Sequence, residues 1–257
     1  MEYQQLTQES LQMEHICCSM TEKKGEHSVS DKKAWLKERM EEGLVFYKGD
    51  VRSKVFIEYI PAEAAWVPIQ ADNWMHINCL WVSGSFKGLG YSDALLQHCI
   101  ADAKARGMDG ITILSGKKKL PYLSDPSYLK YKGFTPADEA GEYLLMQLPF
   151  HADAKTPCFA DSVFHPVHPK NTFVLYYTDQ CPFAVQYASK FAEWMKSWNQ
   201  PCIVHHISTR EEAKACPAPV TSYALFYEDT YLTNEIQPEK KAEKLWKTYG
   251  RQTVQAG

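Results

Sequence analysis

The order of apolar and polar residues predicts a mixed α/β arrangement for the first 150 residues. Short runs rich in β-branched and aromatic residues predict strands at LVFYK, KVFIEYI, AAWVPI, WMHINCLWV, GITIL and YLLMQLPF. Apolar residues at helical spacing predict helices at LTQESLQMEHICC, DKKAWLKERMEEG and SDALLQHCIADAKARG, and near DPSYLKYKG. Gly43 and Gly107 follow the second and third of these helices, as is typical of helix C-termini.

The end of the chain repeats this alternation on a smaller scale. A strand, a helix and a strand predict a βαβ unit, in FVLYYT, PFAVQYASKFAEWMKSW and CIVHHI. A helix, two strands and a helix follow, in TREEAKA, SYALFYE, TYLTNE and PEKKAEKLWKTYG. Residues 151–170 hold three prolines and three histidines without a lasting apolar period, which predicts a linker. We therefore expect two α/β domains, residues 1–150 and 171–257.

The composition is globular, with 45% hydrophobic residues, and the net charge of -3 favours neither nucleic acid nor an anionic membrane. No stretch reaches the roughly 18 apolar residues that a membrane-spanning helix needs. The start, MEYQQLTQES, lacks the features of a secretory signal. We expect a cytoplasmic protein that binds neither nucleic acid nor membranes, and the sequence leaves its oligomeric state open. The eight cysteines include no CxxC pair, so we expect mostly reduced thiols and no metal.

The segment from Leu80 to Ser92 joins a predicted strand to a predicted helix through a glycine-containing turn. At Gly88 and Gly90 no side chain keeps an anionic group away from the backbone. The helix that follows offers unpaired N–H donors and the positive end of its dipole. The segment therefore predicts a pyrophosphate-binding turn, formed by Lys87, Gly88, Leu89, Gly90, Tyr91 and Ser92.

This turn resembles motif A of the GNAT acetyltransferases, whose pattern is [RQ]xxGx[GA] between a strand and a helix. Lys87 stands in place of Arg or Gln and Ser92 in place of Gly or Ala, and Lys132-Gly133-Phe134 resembles the end of motif B. The resemblance covers about residues 1–150 and is strongest to acetyltransferases with a C-terminal YoaP-type domain. Segments that carry it are HICC, GLVFYKGD, KVFIEYIPAEAAWVPI, INCLWVSGSFKGLGYS and GKKKLPYLSD. It implies a mixed sheet flanked by helices, followed by a smaller thioredoxin-like α/β domain.

The resemblance implies direct transfer of an acetyl group from acetyl-CoA to an amine, which we expect to belong to a small molecule. In such enzymes the strand before motif A separates from its neighbour. This places Leu80, Trp81 and Val82 in the cofactor site, with free N–H groups near Leu80 and Val82 that hold the pantetheine amides and polarise the thioester carbonyl.

The catalytic acid and base are less clearly marked. Glu58 is the favoured general base, because a carboxyl group in the apolar strand FIEYI can have a raised pKa; an outward-facing position is the alternative. Glu63 and His76 are other candidates. The family often has a tyrosine as general acid where this chain has Leu129, and Tyr128 is favoured over Tyr131 for that role.

Other residues suggest a rival function of thiol or soft-metal binding, in which the acetyltransferase unit only binds CoA. His15, Cys17 and Cys18 form HICC, and Cys181 precedes a predicted helix that would lower a thiol pKa. Ala184 occupies the second cysteine position of a CxxC motif, which excludes disulfide shuttling. Lys117, Lys118 and Lys119 could meet a phosphate or an acidic acceptor, or form a solvated loop. His165 and His168 are expected to be exposed linker residues.

Overall fold

The computed structural model describes residues 1–16, 19, 21–22 and 24–250. The chain forms two compact units, and each unit is assembled from separate stretches of sequence. The first contains the described residues of Met1–Thr21, together with Lys33–Ala65 and Ile69–Ala160. The second contains the described residues of Glu22–Lys32, Trp66–Pro68 and the described part of the chain from Asp161 onward. No helix in the described residues is long and apolar enough to cross a membrane.

The first unit is built on a seven-stranded mixed sheet with the strand order β1-β2-β3-β5-β6-β8-β7. Only β5 and β6 run parallel, and all other neighbours are antiparallel. The strands are β1 Tyr3–Gln5, β2 Val45–Gly49, β3 Val55–Pro61, β5 Trp74–Val82, β6 Gly110–Gly116, β7 Thr135–Ala140 and β8 Tyr143–Pro149. The helices of this part of the chain are α1 Ser28–Glu41, α2 Tyr91–Ala105 and α3 Pro126–Tyr131.

Helices α2 and α3 pack on one face of this sheet. Strands expose alternate residues to opposite faces, and Val55, Ile57 and Tyr59 of β3 lie in the same core cluster as Leu95 and Leu96 of α2. Other members are Met75, Ile77, Cys99, Ile111, Ile113, Leu129, Phe134, Leu144 and Met146. The α/β class and the mixed sheet with packed helices agree with the prediction from sequence.

The sequence prediction of a helix at LTQESLQMEHICC was wrong for the described residues. Only a short 3-10 turn forms there, at Ser10–Gln12, and the backbone N–H groups of Thr7 and Ser10 bond each other's hydroxyl oxygens. The buried residues Leu6, Leu11 and Ile16 are five apart, which does not place them on one face of a helix. Cys17 and Cys18 lie outside the described residues.

The sequence prediction also misplaced one strand and missed others. In AAWVPI only Ile69 extends into a strand, β4 Ile69–Gln70, because Ala64 and Ala65 close turns by bonding Pro61 and Ala62. Strand β4 pairs with β9 Cys158–Phe159, so the first unit continues past Phe150 to Ala160. Strand β7, in the polar segment TPADEA, was not predicted because it lacks apolar alternation.

The second unit contains a four-stranded sheet with the order β11-β10-β12-β13, in which β10 and β11 are parallel. Its elements follow the predicted order: β10 Phe173–Tyr177, α4 Pro182–Ser197, β11 Cys202–His206, α5 Arg210–Lys214, β12 Tyr223–Tyr227, β13 Thr230–Thr233 and α6 Glu239–Tyr249. Helices α4 and α6 share one core with β10 and β12, through Leu175, Ala188, Phe191, Leu225 and Ala242.

The histidines expected in an exposed linker differ from each other. His165 is exposed, but His168 is half-buried within the second unit. Its two ring nitrogens lie 2.9 Å from the Glu228 carbonyl oxygen and 3.0 Å from the Tyr176 hydroxyl. Its ring also packs on Phe226, with the centroids 4.6 Å apart. His168 therefore packs within the second unit and is not a solvated linker residue.

Candidate functional site

Strand β5 leaves part of one edge without a partner strand. It pairs with β3 along nearly its whole length, from Pro61↔Met75 to Val55↔Val82. On its other side the pairing with β6 covers only Trp74–Ile77 and Gly110–Ile113. The side chains of Trp74–Ile77 are buried, whereas those of Asn78–Val82 are only half-buried. Among the described residues no strand pairs with β5 beyond Ile77 on this side, and the edge of Asn78–Val82 is called the free edge below.

The direction of the backbone donors on the free edge follows from a neighbouring hydrogen bond. Ser83 is extended and donates its N–H to the Lys54 carbonyl oxygen over 3.0 Å, on the side of β3. Successive N–H groups of a strand point to opposite edges, so the N–H groups of Leu80 and Val82 point toward the free edge. The N–H of Trp81 points toward β3, and its ring lies on the face opposite α2, because Trp81 pairs with Phe56.

The turn after β5 presents a row of backbone donors. The N–H groups of residues Gly88–Ser92 have no hydrogen-bond acceptor within the described part of the chain. Gly88 and Gly90 have φ angles of 77° and 79°, which few residues other than glycine adopt. A Cβ atom at either position would meet no atom within 4 Å, so the space in front of the turn is open. Gly90 is the N-cap of α2, whose positive dipole end adds to these donors.

The other residues of the turn have distinct positions. Phe86 and Tyr91 hold the turn on the sheet, since their rings lie 5.9 Å apart and both pack on the core cluster of α2. Lys87 and Leu89 are exposed, and Lys87 forms no ion pair within residues 24–250. Lys87 therefore adds a free positive charge beside the row of donors. Such a set of donors and charge suits a phosphate group.

Tyr128 of α3 reaches the start of α2. Its hydroxyl donates to Oδ1 of Asp93 over 3.2 Å, and the side chain of Ser92 also hydrogen-bonds to this phenol. Burial, followed by the nearby Asp93 charge, raises the pKa of Tyr128 to about 12, so the phenol keeps its proton at neutral pH. Tyr131 is 81% exposed and Leu129 is fully buried in the core. Of these three positions, only Tyr128 places a proton donor at the N-terminus of α2.

Glu58 is buried, with 1% of its surface exposed, and this contradicts the alternative of an outward-facing strand residue. It lies on the face of β3 opposite α2, across from Cys79 at the start of the free edge. The Asn78 side chain donates from Nδ2 to Oε1 of Glu58 over 2.9 Å. Asn78 was missed in the sequence, although its polar side chain interrupts the apolar run of β5.

The two other base candidates lie elsewhere. Glu63 is exposed and accepts the backbone N–H of Asn73, which closes the loop before β5. His76 is buried, and its Nδ1 lies 2.9 Å from the Thr112 hydroxyl between β5 and β6. Neither residue lies on the free edge, which begins after Ile77.

Within HICC, the described residue His15 already has partners at both ring nitrogens. Nδ1 lies 3.4 Å from Nζ of Lys48, and Nε2 lies 3.3 Å from the Ser53 carbonyl oxygen. Burial, followed by the Lys48 charge, lowers the pKa of His15. Metal coordination by His15 would have to break one of these contacts. The described residues contain no group of three or more His, Cys, Asp or Glu side chains suited to hold a metal ion.

The three lysines after β6 form exposed ion pairs rather than a cluster of free charges. Lys117, Lys118 and Lys119 pair with Glu139, Glu142 and Asp125, at distances of 3.2, 3.3 and 3.7 Å. These positions fit the solvated loop that was the alternative reading of this segment.

Cys181 is the N-cap residue of α4, and its carbonyl oxygen accepts the N–H of Ala184 over 2.9 Å. Its side chain is half-buried, and Ala184 is fully buried in the core of the second unit. Cys202 is half-buried against the core of the second unit and Cys216 is buried, and burial raises the pKa of each thiol to about 12. No disulfide forms among the described cysteines.

Comparisons with known proteins give two family matches. The profile of the acetyltransferase (GNAT) family matches residues 10–119, and the profile described as YoaP-like matches residues 201–244. The uncharacterized N-acetyltransferase YoaP of Bacillus subtilis (strain 168) is 46% identical to this chain over 247 residues. The match covers 96% of this chain and 98% of that protein.

Solved structures with a related fold are more distant. PaiA N-acetyltransferase from Thermoplasma acidophilum, in complex with coenzyme A, is 14% identical with a TM-score of 0.40, and the match covers 58% of this chain and 100% of that one. A GNAT family acetyltransferase from Brucella melitensis, in complex with acetyl-CoA, is 15% identical with a TM-score of 0.33, covering 51% and 72%. The family assignment rests on the full-length relative and not on these structures.

Proposed function

This chain belongs to the GNAT family of N-acetyltransferases, and from that premise we propose that it moves the acetyl group of acetyl-CoA directly to the amine of a small molecule. The observation that carries the proposal is the continuity between the free edge of β5 and the turn of unpaired N–H groups at Gly88–Ser92. The free edge suits an extended chain that contains amides, and the turn suits a pyrophosphate. Acetyl-CoA contains these two parts in the same order.

In this proposal the residues of the turn bind the pyrophosphate. The N–H groups of Gly88–Ser92 donate to the phosphate oxygens, and Lys87 adds a positive charge. The N–H groups of Leu80 and Val82 hold the pantetheine arm and polarise the thioester carbonyl. Because these donors are fixed before the ligand arrives, they stabilise the developing oxyanion with little reorganisation.

Glu58 and Tyr128 are the proposed base and acid. The amine nitrogen forms a bond to the acetyl carbon, Glu58 takes one proton from that nitrogen, and the carbon–sulfur bond breaks. The CoA thiolate takes a proton from Tyr128, and water then carries the proton held by Glu58 to the phenolate, so that both groups return to their starting states. Tyr128 keeps its proton at neutral pH because its pKa is raised to about 12.

The acceptor is a small amine in this proposal, supported by the absence of a strongly charged sequence that would attract nucleic acid. A protein lysine or N-terminus is the competing acceptor class. A panel of small primary amines and short peptides, assayed for CoA release with acetyl-CoA, separates the two. Turnover of peptides alone would overturn the small-molecule part of the proposal.

Binding of the donor is the first test. We expect isothermal titration of acetyl-CoA and of CoA into the full chain to give dissociation constants in the micromolar range. The absence of binding at millimolar ligand would refute the proposed donor site. Binding without turnover of any amine would leave the site as a CoA-binding module and refute the transferase function.

We also propose that the second unit is thioredoxin-like. Its strand order, with β10 central and parallel only to β11, supports this assignment, as does Cys181 at the N-terminus of α4. Because Ala184 fills the second position of a CxxC motif, chemistry at Cys181 would use a single thiol. We expect Cys181→Ala to leave acetyl transfer unchanged, whereas loss of transfer would implicate this thiol in the reaction.

A further inference from the structure

The carboxylate of Asp93 lies next to the proposed phosphate site and forms an ion pair. Asp93 lies in the first turn of α2, directly after the row of unpaired N–H groups at Gly88–Ser92. Oδ2 of Asp93 lies 2.7 Å from Nζ of Lys132, and Oδ1 accepts the Tyr128 hydroxyl over 3.2 Å. Both oxygens of this carboxylate are therefore bound, one by a residue within α3 and the other by the residue that ends α3.

Lys132 is itself held in a defined position, from which it can fix the Asp93 carboxylate. It is the C-cap residue of α3, and only 17% of its side chain is exposed. Its ammonium lies 4.6 Å from the centroid of the Tyr131 ring and 5.8 Å from that of Tyr128. The aromatic rings and the carboxylate together hold the ammonium at this point.

The electrostatic consequence concerns the phosphate site. A carboxylate in the first turn of a helix interacts favourably with the helix dipole in the free protein. The same charge repels a phosphate that approaches the same N-terminus, and an unpaired Asp93 would oppose binding. Lys132 cancels this charge without occupying the donors at Gly88–Ser92.

We propose that Lys132 is a positioning residue for the acyl donor, which acts through Asp93 in two ways. It neutralises the one carboxylate in the first turn of α2, and it keeps that carboxylate where it orients the Tyr128 hydroxyl. This inference rests on the proposed function, because the donor is the anion whose binding it governs.

The test measures CoA binding by isothermal titration for the parent chain and five variants, of which Lys132→Arg and Lys130→Met are controls. We expect Lys132→Met to weaken CoA binding about tenfold at low salt and the loss to shrink at about 500 mM NaCl, because the repulsion is screened. Asp93→Asn should instead bind CoA as tightly as the parent or tighter. The double variant Asp93→Asn/Lys132→Met should return to within about threefold of the parent, since the pair carries no net charge.

A purely structural role for the ion pair gives a different pattern. Asp93→Asn and Lys132→Met break the same bond, so both would then weaken CoA binding alike and the double variant would not recover. That result would overturn the inference. Lys132→Arg, which keeps the charge, should bind CoA like the parent and shows that the site tolerates substitution.

Lys130→Met is the matched control, because Lys130 lies on the same helix, is exposed and forms no ion pair among the described residues. We expect it to leave CoA affinity unchanged. An equal loss for Lys130→Met and Lys132→Met would mean that general surface charge, and not the Asp93 pair, governs binding. Failure of the parent itself to bind CoA would refute the proposed function, which is a separate outcome.

Discussion

The side chain of Asn78 donates from Nδ2 to Oε1 of Glu58 over 2.9 Å, across strands β5 and β3. The bond sits at an irregularity in the pairing, where Glu58 faces Cys79 and Tyr59 faces Ile77, so that Asn78 is the extra residue of β5. Such a bulge bends a strand and increases its twist. The free edge of β5 begins at this residue, and the bulge therefore couples the separation of β5 from β6 to the position of Glu58.

Replacing Glu58 with Gln should lower the rate of acetyl transfer about 100-fold while CoA affinity stays within about threefold of the parent. The amide keeps the shape and can still contact Asn78, but it cannot take a proton. Initial rates with the amine found in the acceptor screen, together with CoA titration, measure the two effects. Glu63→Gln is the control, since Glu63 is exposed and bonds only a loop amide. Equal rates for the parent and Glu58→Gln would assign the base elsewhere.

Gly90→Val should abolish CoA binding at micromolar concentrations. A β-branched residue disfavours the φ of 79° that this position requires, so the turn must shift and the row of N–H donors is lost. CoA titration and thermal unfolding give the affinity and the stability of the same sample.

The matched control for Gly90 is Gly107→Val, at the opposite end of α2. Gly107 has a φ of 70°, and an added Cβ would also meet nothing within 4 Å, so the backbone strain is similar. We expect both variants to lose similar stability and only Gly90→Val to lose CoA. A parallel loss of CoA binding in both would show that strain in α2, and not the turn itself, is responsible.

Tyr128→Phe should change the pH dependence of stability. The folded-state pKa of this phenol is raised to about 12, first by burial, whereas the ordinary value is 10.0. As the pH rises through 10 to 12, the unfolded chain loses the phenol proton before the folded chain does, and the parent loses stability in this window. Tyr128→Phe has no phenol proton to lose. The unfolding free energy of the variant, relative to that of the parent, should therefore increase between pH 8 and pH 11. Urea unfolding at both pH values measures it.

Tyr131→Phe is the comparison for Tyr128, because Tyr131 lies on the same helix and is 81% exposed. The same two variants test the proposed acid. We expect Tyr128→Phe to lower the transfer rate at least about tenfold and Tyr131→Phe to leave it unchanged. A fully active Tyr128→Phe would assign thiolate protonation to water.

Lys48→Met should destabilise the folded protein by about 1–3 kcal/mol, because it leaves the Glu14 carboxylate without its cation. Lys48 is 2% exposed, and its ammonium lies 2.6 Å from Oε2 of Glu14. Lys118→Met, which breaks the exposed ion pair with Glu142, should cost less than about 1 kcal/mol. Urea unfolding compares the two, and equal losses would mean that the buried pair contributes no more than a surface one.

Local sequence patterns predicted much of the fold, because the strands are short runs of β-branched and aromatic residues between clear turns. The glycine turn could also be predicted, since few residues other than glycine adopt the positive φ angles of Gly88 and Gly90. The extra residue Asn78 could not be predicted in the same way. A bulge is a property of two strands in register, and the alternation within β5 alone does not reveal which residue is left unmatched.

Local patterns likewise could not predict which charged side chains pair with each other. Lys132 and Asp93 lie far apart in the sequence and meet because α3 ends beside the start of α2. Lys48 meets Glu14 in a segment where a helix had been expected. In each case tertiary contacts decided the position of the side chain, and local propensity did not.

The second unit is discontinuous in sequence, so cleavage at a single point in the chain cannot separate the two units intact. It includes the described residues of Glu22–Lys32, and Trp66–Pro68, from the first third of the chain. The Gln186 amide donates to Glu26 over 3.1 Å, and the buried Thr221 hydroxyl donates to the Trp66 carbonyl oxygen. A fragment that stops before residue 161 would keep both early segments but lose the residues that pack against them. Recombination within residues 151–170 would therefore give two incomplete units. We expect the two units to be inherited together, as one evolutionary module.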